Sequence, residues 1–193
     1  MITILRMRIK KPTLLLPIFL SICFFVVSCG VMPLTPETST EDIPVFVLAS
    51  ADEPGQRLML KGTVVDSQTN EPIPDTKIHL YHADANGEYQ PTDPNDESTA
   101  RLSGTLTTDT AGNFAVDTIV PREYDQPGNR HIHLHSVSAA NYQNGGGVIL
   151  FENDVNPEIR QWANETGFGT IIELEEIDGV QHGHVTISLD PIE

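Results

Sequence analysis

Short stretches in which apolar and polar residues alternate follow one another along the chain from residue 57 onward. Alternation with a period of two gives a β-strand one apolar face, and turn-forming residues separate the stretches about every 8–12 residues. Many short strands of this kind predict an all-β sandwich or barrel. The predicted strands lie in RLMLKGTVVD, TKIHLYHAD, ARLSGTLTTD, GNFAVDTIV, HIHLHSVSA, GGVILFE, GTIIELEEI and HGHVTISLD.

Two local signals add a hairpin and a helix to this pattern. The segment TAG, residues 110–112, separates two predicted strands and indicates a tight β-hairpin. The segment NPEIRQWANE, residues 156–165, is predicted to be one short helix. Asn156 is suited to cap it, and Pro157 is suited to its first turn.

The first 28 residues have a different pattern, that of an export signal. A short basic segment precedes an apolar run that ends in small residues, which predicts a signal peptide over residues 1–28. The segment VVSCG resembles the bacterial lipoprotein box, in which Cys29 would receive the lipid. The alternative is an uncleaved membrane anchor, since the run approaches the length of a spanning helix. Either alternative places the domain outside the cytoplasm, and Gly30 after the cysteine favours the outer membrane or the cell surface.

Residues 29–56 are rich in Pro, Thr, Ser and acidic residues, a composition typical of a flexible tether. The sequence therefore predicts a signal peptide over 1–28, a lipid-anchored linker over 29–56 and a β-domain over 57–193. Cys23 and Cys29 are the two cysteines of the chain. The predicted domain therefore contains neither disulfides nor thiolate metal sites.

The chain is strongly acidic, with a formal net charge of −16. Because the predicted signal carries four basic and no acidic residues, its removal leaves a net charge of −20. A surface this acidic repels phosphate backbones, which argues against nucleic acid as a partner.

Histidine alternates with apolar residues in NRHIHLHSVS, residues 129–138. On a strand His131, His133 and His135 would all face one side of a sheet, where they could bind a metal ion. The alternative is a solvated strand face. The remaining histidines are more ordinary and are interpreted as structural: His79, His82, His182 and His184.

Tyrosine determines which metal such a site would prefer. Tyr89 follows a predicted strand, and Tyr124 lies in a Pro- and Gly-rich loop seven residues before His131. Loops on a rigid scaffold commonly carry functional side chains. Phenolate is a hard, anionic donor, so two tyrosines with two histidines favour ferric iron, whereas zinc more often takes histidine with carboxylate or thiolate.

Three segments in this order resemble the intradiol ring-cleavage dioxygenases: GTVVDSQTNEPIPDTKIHLYHADANGEY, RLSGTLTTDTAGNFAVDTIVPREY and RHIHLHSVSAANY. The resemblance covers residues 58–155 well and the tail to residue 190 more weakly. It implies an antiparallel β-sandwich with one short helix. It also implies that this domain holds a non-haem Fe(III) ion. It also implies an oxidoreductase that uses O2 to cleave a catechol-type ring between its two hydroxyls.

The same resemblance assigns roles to individual residues. Tyr89 and Tyr124 would be iron ligands, and Tyr124 is expected to be the one that substrate displaces and that then accepts a proton. Histidine ligands would be His131 and His133, or His133 and His135 in the alternative register. Arg130 would stabilise negative charge on the substrate.

The sequence departs from the family pattern at two positions. Asp125 stands where proline commonly follows the second tyrosine, and Tyr81 stands where tryptophan is common. A competing interpretation is a non-catalytic extracytoplasmic β-sandwich, a binding or spacer module. Convergence of the two tyrosines and two of the three histidines on one point would distinguish the enzyme from that module.

Overall fold

The computed structural model describes residues 43–123 and 129–193, which contain ten β-strands, one α-helix and a short 3-10 helix, Glu97–Thr99. The strands are β1 (Val45–Val47), β2 (Arg57–Asp66), β3 (Lys77–His82), β4 (Leu102–Thr107), β5 (Asn113–Ile119), β6 (His131–Ser138), β7 (Gly145–Phe151), β8 (Gly169–Ile172), β9 (Leu174–Ile177) and β10 (Val180–Leu189). The helix α1 is Pro157–Thr166, between β7 and β8.

The strands form two five-stranded sheets, which confirms the predicted β-sandwich. Sheet A has the order β1-β5-β2-β10-β9, and sheet B has the order β4-β3-β6-β7-β8. Hairpin neighbours pair antiparallel as expected. Within the described ranges, three pairs are parallel instead: β1 with β5, β2 with β10, and β7 with β8. Each parallel pair joins strands that are separated along the chain by other elements, so no tight turn has to connect them.

The apolar faces of the two sheets form the core. Leu58 and Leu60 of β2 meet Ile78 and Leu80 of β3 and Ile132 of β6 between the sheets. These five side chains are at most 1% exposed. Each contributes about 1.5–3 kcal/mol by leaving water, which holds the sheets together without disulfides.

The prediction that residues 29–56 form a flexible linker is wrong for the last part of this range. Val45–Val47 form β1, which pairs with β5, and Ala49 is fully buried. Phe46 packs on Gly104 of β4, where an added Cβ would lie 2.6 Å from its ring. This stretch therefore belongs to the sandwich, because its apolar side chains cover the edge of the core.

The predicted helix is present, but the predicted hairpin is wrong. The turn at residues 110–112 joins β4 of sheet B to β5 of sheet A, so the two strands do not pair with each other. The turn is tight, and Gly112 takes a φ of 72° that favours glycine. The Asn156 side chain accepts a hydrogen bond from the Ile159 N–H, and Gly167 ends the helix in the left-handed conformation. Among the described residues, no helix has both the length and the apolar character needed to cross a bilayer.

A β-bulge interrupts β6 at His135. Leu134 pairs with Gly147 of β7, but Val137 pairs with Gly145, so β6 has one more residue than β7 over this interval. The extra residue shifts the inward positions by one. Val137, three residues after Leu134, therefore points into the core as Ile132 and Leu134 do. His131 and His133 precede the bulge on the outer face of sheet B.

Candidate metal centre

Two imidazoles of β6 face each other on the outer side of sheet B. The Nε2 atoms of His131 and His133 lie 2.9 Å apart. The Nδ1–H of His131 donates to the carbonyl oxygen of Asn129 at 2.7 Å, since that oxygen can only accept. In neutral His131 the proton is then on Nδ1 and Nε2 is unprotonated, which is the tautomer that can bind a metal ion through Nε2.

Burial keeps both imidazoles neutral near pH 7. Burial lowers the pKa of His131. Burial, together with the positive charge that His131, His82 and His135 would carry, lowers the pKa of His133 to about 3. Metal ions bind the neutral form of histidine, so proton competition at this pair is weak.

The phenol of Tyr89 lies beside the imidazole pair. Its hydroxyl lies 3.1 Å from His133 Nε2, and the residue is 8% exposed. Tyr89 reaches the pair from the loop after β3, whereas the histidines come from β6 beside it. Within residues 43–123 and 129–193, no three His, Cys, Asp or Glu side chains are grouped to hold a metal ion.

Tyr81 supports His133 from one side. Their rings are stacked with centroids 4.3 Å apart and an interplanar angle of 5°. Tyr81 pairs with His133 across β3 and β6, and it is 8% exposed. A stacked ring restricts rotation of the imidazole and so fixes the direction of its Nε2. The sequence marked Tyr81 only as a departure from the family pattern.

His135, the member of the alternative register, has different neighbours. It is exposed, and its ring lies 5.5 Å from that of His79 and 6.3 Å from that of Tyr81. The hydrogen bonds that join the imidazole pair and Tyr89 involve His131 and His133. The geometry thus brings Tyr89, His131 and His133 together and leaves His135 beside His79.

Arg130 makes an ion pair with Asp154, which follows β7. Both residues line a cavity of about 220 Å³ with Gln56 and Gln181. The Arg130 Nε atom is buried with no hydrogen-bond partner among the described residues. Asp154 therefore fixes one end of the guanidinium.

Two predicted functional residues, Tyr124 and Cys29, lie outside the described residues. His82 is structural, as the sequence suggested: it is fully buried, with Nδ1 2.8 Å from the Ala83 carbonyl oxygen and Nε2 2.7 Å from the Thr118 hydroxyl. Burial lowers its pKa to about 4. His182 and His184 lie on β10 in the opposite sheet.

Comparison with known proteins identifies the family. A family model described as dioxygenase matches residues 33–161, more than half of the chain. Catechol 1,2-dioxygenase of Acinetobacter baylyi is 32% identical over 101 residues, which are 44% of this chain and 32% of that enzyme. The chain therefore aligns with only about a third of this curated relative.

Solved structures show the same fold at lower identity. The 3-chlorocatechol 1,2-dioxygenase of Rhodococcus opacus matches with a TM-score of 0.59 and 24% identity, over 76% of this chain and 65% of that one. The dioxygenase domain of a Streptomyces dioxygenase–carbohydrate-binding fusion matches with a TM-score of 0.59 and 22% identity, over 83% and 96%. The chain thus belongs to the intradiol ring-cleavage dioxygenase family.

Proposed function

We propose that this protein is a non-haem Fe(III) dioxygenase that cleaves a catechol-type ring between its two hydroxyls with O2. The observation that carries the proposal is the convergence of Tyr89 Oη and His131 Nε2 on His133 Nε2, each within hydrogen-bond distance of it. Two neutral imidazoles and a phenol fit ferric iron, because a phenolate supplies hard negative charge to a highly charged cation.

Each of these residues has a defined task in the proposal. His131 and His133 would bind the iron through Nε2, and Tyr89 would bind it through its phenolate oxygen. Tyr124, assigned from the sequence, would be the fourth ligand, and its phenolate would accept one proton from the incoming catechol. When bound, ferric iron would act as a Lewis acid and as a template for the two catechol oxygens.

Arg130 would stabilise negative charge on the substrate. Its ion pair with Asp154 holds the guanidinium in one orientation, and the buried Nε–H has no hydrogen-bond partner in the part of the chain that the structure describes. A preoriented donor stabilises developing charge without having to reorganise during the reaction. Of the described arginines, Arg130 is the one next to the histidine pair in sequence.

The proposal is tested with purified protein, freed of iron and reloaded with Fe(III). We expect a broad visible absorption band from phenolate bound to Fe(III). We also expect O2 uptake with a catechol panel, and a ring-opened diacid that carries both atoms of ¹⁸O2. Protein that remains colourless with ferric iron would contradict the proposal. Iron binding without O2 uptake by any catechol would favour the non-catalytic binding module.

We also propose that Cys29 anchors the protein to a membrane through lipid. The support is the sequence VVSCG after an apolar run. Expressed in a bacterial host, the wild type should partition into the membrane fraction, and Cys29→Ser should lose that partitioning. Equal partitioning of Cys29→Ser and wild type would show that the apolar run itself is the anchor.

A further inference from the structure

Asp84 closes the turn that leads from β3 to Tyr89. Its Oδ1 accepts hydrogen bonds from the backbone N–H groups of Asn86 at 2.8 Å and Glu88 at 3.0 Å. The main chain of the turn is also paired, from Asp84 N to Glu88 O at 2.9 Å and from Gly87 N to Asp84 O at 3.1 Å. Gly87 has a φ of 86°, which favours glycine. The carboxylate thus holds two residues of the turn, one of which directly precedes Tyr89.

A second set of bonds fixes Tyr89 against β4. The backbone N–H of Arg101, the residue before β4, donates to the Tyr89 carbonyl oxygen at 2.9 Å. The guanidinium of Arg101 donates to Asp84 Oδ2 at 3.3 Å and to both carboxylate oxygens of Glu53 at 2.7 Å. Arg101 binds the Tyr89 carbonyl oxygen through its backbone and Asp84 through its side chain. Asp84 is therefore connected to Tyr89 by this residue as well as by the turn.

The same residue contacts the chain that leads towards the second predicted tyrosine. The backbone N–H of Arg122 donates to the Asp84 carbonyl oxygen at 3.3 Å. Arg122 precedes Tyr124 by two residues. One buried residue thus joins the Tyr89 turn, the start of β4 and the end of the segment after β5.

Asp84 is charged although its side chain is only 5% exposed. Burial alone would raise its pKa, but the N–H groups of Glu88 and Asn86 and the guanidinium of Arg101 outweigh burial, and the pKa is lowered. An ionised carboxylate that accepts several hydrogen bonds is held more firmly than a neutral side chain would be.

We propose that Asp84 is a positioning residue of the metal centre, which places the Tyr89 hydroxyl beside His133 by closing the turn between β3 and Tyr89. The inference rests on the proposed function in so far as Tyr89 is taken as an iron ligand. It adds a residue that does not itself touch the metal but determines where one of the three donors lies. Residues that orient metal ligands are commonly worth about 10–100-fold in metal affinity.

The chain contains a matched control for this turn. Asp109, between β4 and β5, accepts hydrogen bonds at Oδ1 from Ala111 N at 2.9 Å and Asn113 N at 2.7 Å. Its main-chain bonds have the same pattern, Asp109 N to Asn113 O and Gly112 N to Asp109 O. The two turns share the sequence pattern D-x-x-G, but the Asp109 turn connects strands that carry none of the three donors.

The experiment compares Asp84→Ala, Asp84→Asn and Asp109→Ala in the full chain, with ferric nitrilotriacetate as the iron source. Asp84→Ala should weaken Fe(III) binding about 10–100-fold and shift the visible band. Asp84→Asn keeps an Oδ1 acceptor for Asn86 and Glu88, so it should recover most of the affinity. Asp109→Ala removes the equivalent carboxylate from the other turn, but it should keep the Fe(III) affinity and the visible band of wild type. Equal affinity and band in Asp84→Ala and wild type would overturn the inference.

Iron-free crystal structures provide a second measurement that does not depend on iron binding. In Asp84→Ala the Tyr89 hydroxyl should move out of hydrogen-bond distance of His133 Nε2, and in Asp109→Ala it should stay. An unmoved Tyr89 in Asp84→Ala would refute the positioning role even if wild type bound no iron, an outcome that would separately refute the proposed function. If Asp84→Ala does not fold, Asp84→Ser takes its place, with an intermediate loss expected and wild-type behaviour again refuting the role.

Discussion

The Nε2 atoms of His131 and His133 lie 2.9 Å apart, two residues from each other on one strand. Alternation along β6 places both rings on the outer face of sheet B, and the Asn129 carbonyl oxygen turns Nε2 of His131 towards His133. The ring of His135 lies beside that of His79 instead. The alternation of β6 and the Asn129 carbonyl oxygen thus account for which two of the three histidines face each other.

Histidine substitutions on β6 should therefore divide into those that weaken Fe(III) binding and those that leave it unchanged. His131→Ala and His133→Ala each remove one of the facing nitrogens, and each should reduce Fe(III) affinity by more than the roughly 10–100-fold expected for a supporting residue. His135→Ala is the matched control on the same strand and should retain iron. Iron titration followed by visible absorption measures all three. Loss of iron binding in His135→Ala with retention in His131→Ala would reverse the assignment.

Removing the phenol of Tyr89 should change the colour of the iron-loaded protein. Tyr89→Phe keeps the ring packed near Tyr81 but removes the oxygen 3.1 Å from His133. We expect a weaker, shifted visible band and reduced affinity for Fe(III). Tyr142→Phe is the control, because the Tyr142 hydroxyl donates to Asp66 and not to a residue of the metal centre. A visible spectrum of Tyr89→Phe identical to that of wild type would exclude Tyr89 as a ligand.

Replacing Arg130 should impair turnover without loss of iron. Arg130→Lys keeps a positive charge but loses the fixed guanidinium geometry opposite Asp154, so kcat/KM should fall about 100-fold or more. Arg160→Lys is a suitable control, because Arg160 pairs with Glu152 beside the helix. Steady-state O2 uptake measures both variants. Unchanged kcat/KM in Arg130→Lys would remove this residue from the mechanism.

Stability should depend on pH through His82. Its pKa is about 4 in the folded protein against an ordinary value of 6.5, so the unfolded chain binds the proton more tightly. Stability is therefore complete above about pH 6.5 and is lost as pH falls towards 4, by about 3 kcal/mol in all. Urea unfolding of iron-free protein between pH 7 and pH 4.5 measures this loss.

His82→Gln is the variant that isolates the contribution of His82. Glutamine does not titrate, so the variant should be less stable at pH 7 but should lose less stability on acidification. Some pH dependence should remain, because the pKa values of His131 and His133 are also lowered. An equally steep loss of stability in His82→Gln and wild type would show that His82 is not the group responsible.

Local patterns in the sequence predicted most of the fold. Alternation located the strands, and Asn156 and Pro157 located the start of the helix, because these signals depend on neighbouring residues. Residues 45–49 were missed because a short apolar segment, VFVLA, lies in a stretch dominated by Pro, Ser, Thr and acidic residues. The parallel pairings were also missed, since they join strands that are distant in sequence.

The candidate site was predictable in part. The alternating histidines and the G-x-Y segment pointed to Tyr89 and to the β6 histidines, but spacing alone left two H-x-H registers open. The structure distinguishes them by the neighbours of each imidazole, since His131 faces His133 and His135 lies beside His79 of β3, a contact that the sequence of β6 does not contain. The repeated D-x-x-G pattern at Asp84 and Asp109 was a visible signal, but only three-dimensional contacts distinguish the turn that carries a donor.

The most direct test of the account is the position of iron in a crystal of Fe(III)-loaded protein, located by anomalous scattering at the iron absorption edge. We expect one iron per chain, bound by Tyr89 Oη, His131 Nε2 and His133 Nε2. An iron bound by His133 and His135 without His131, or a position away from these residues, would contradict it.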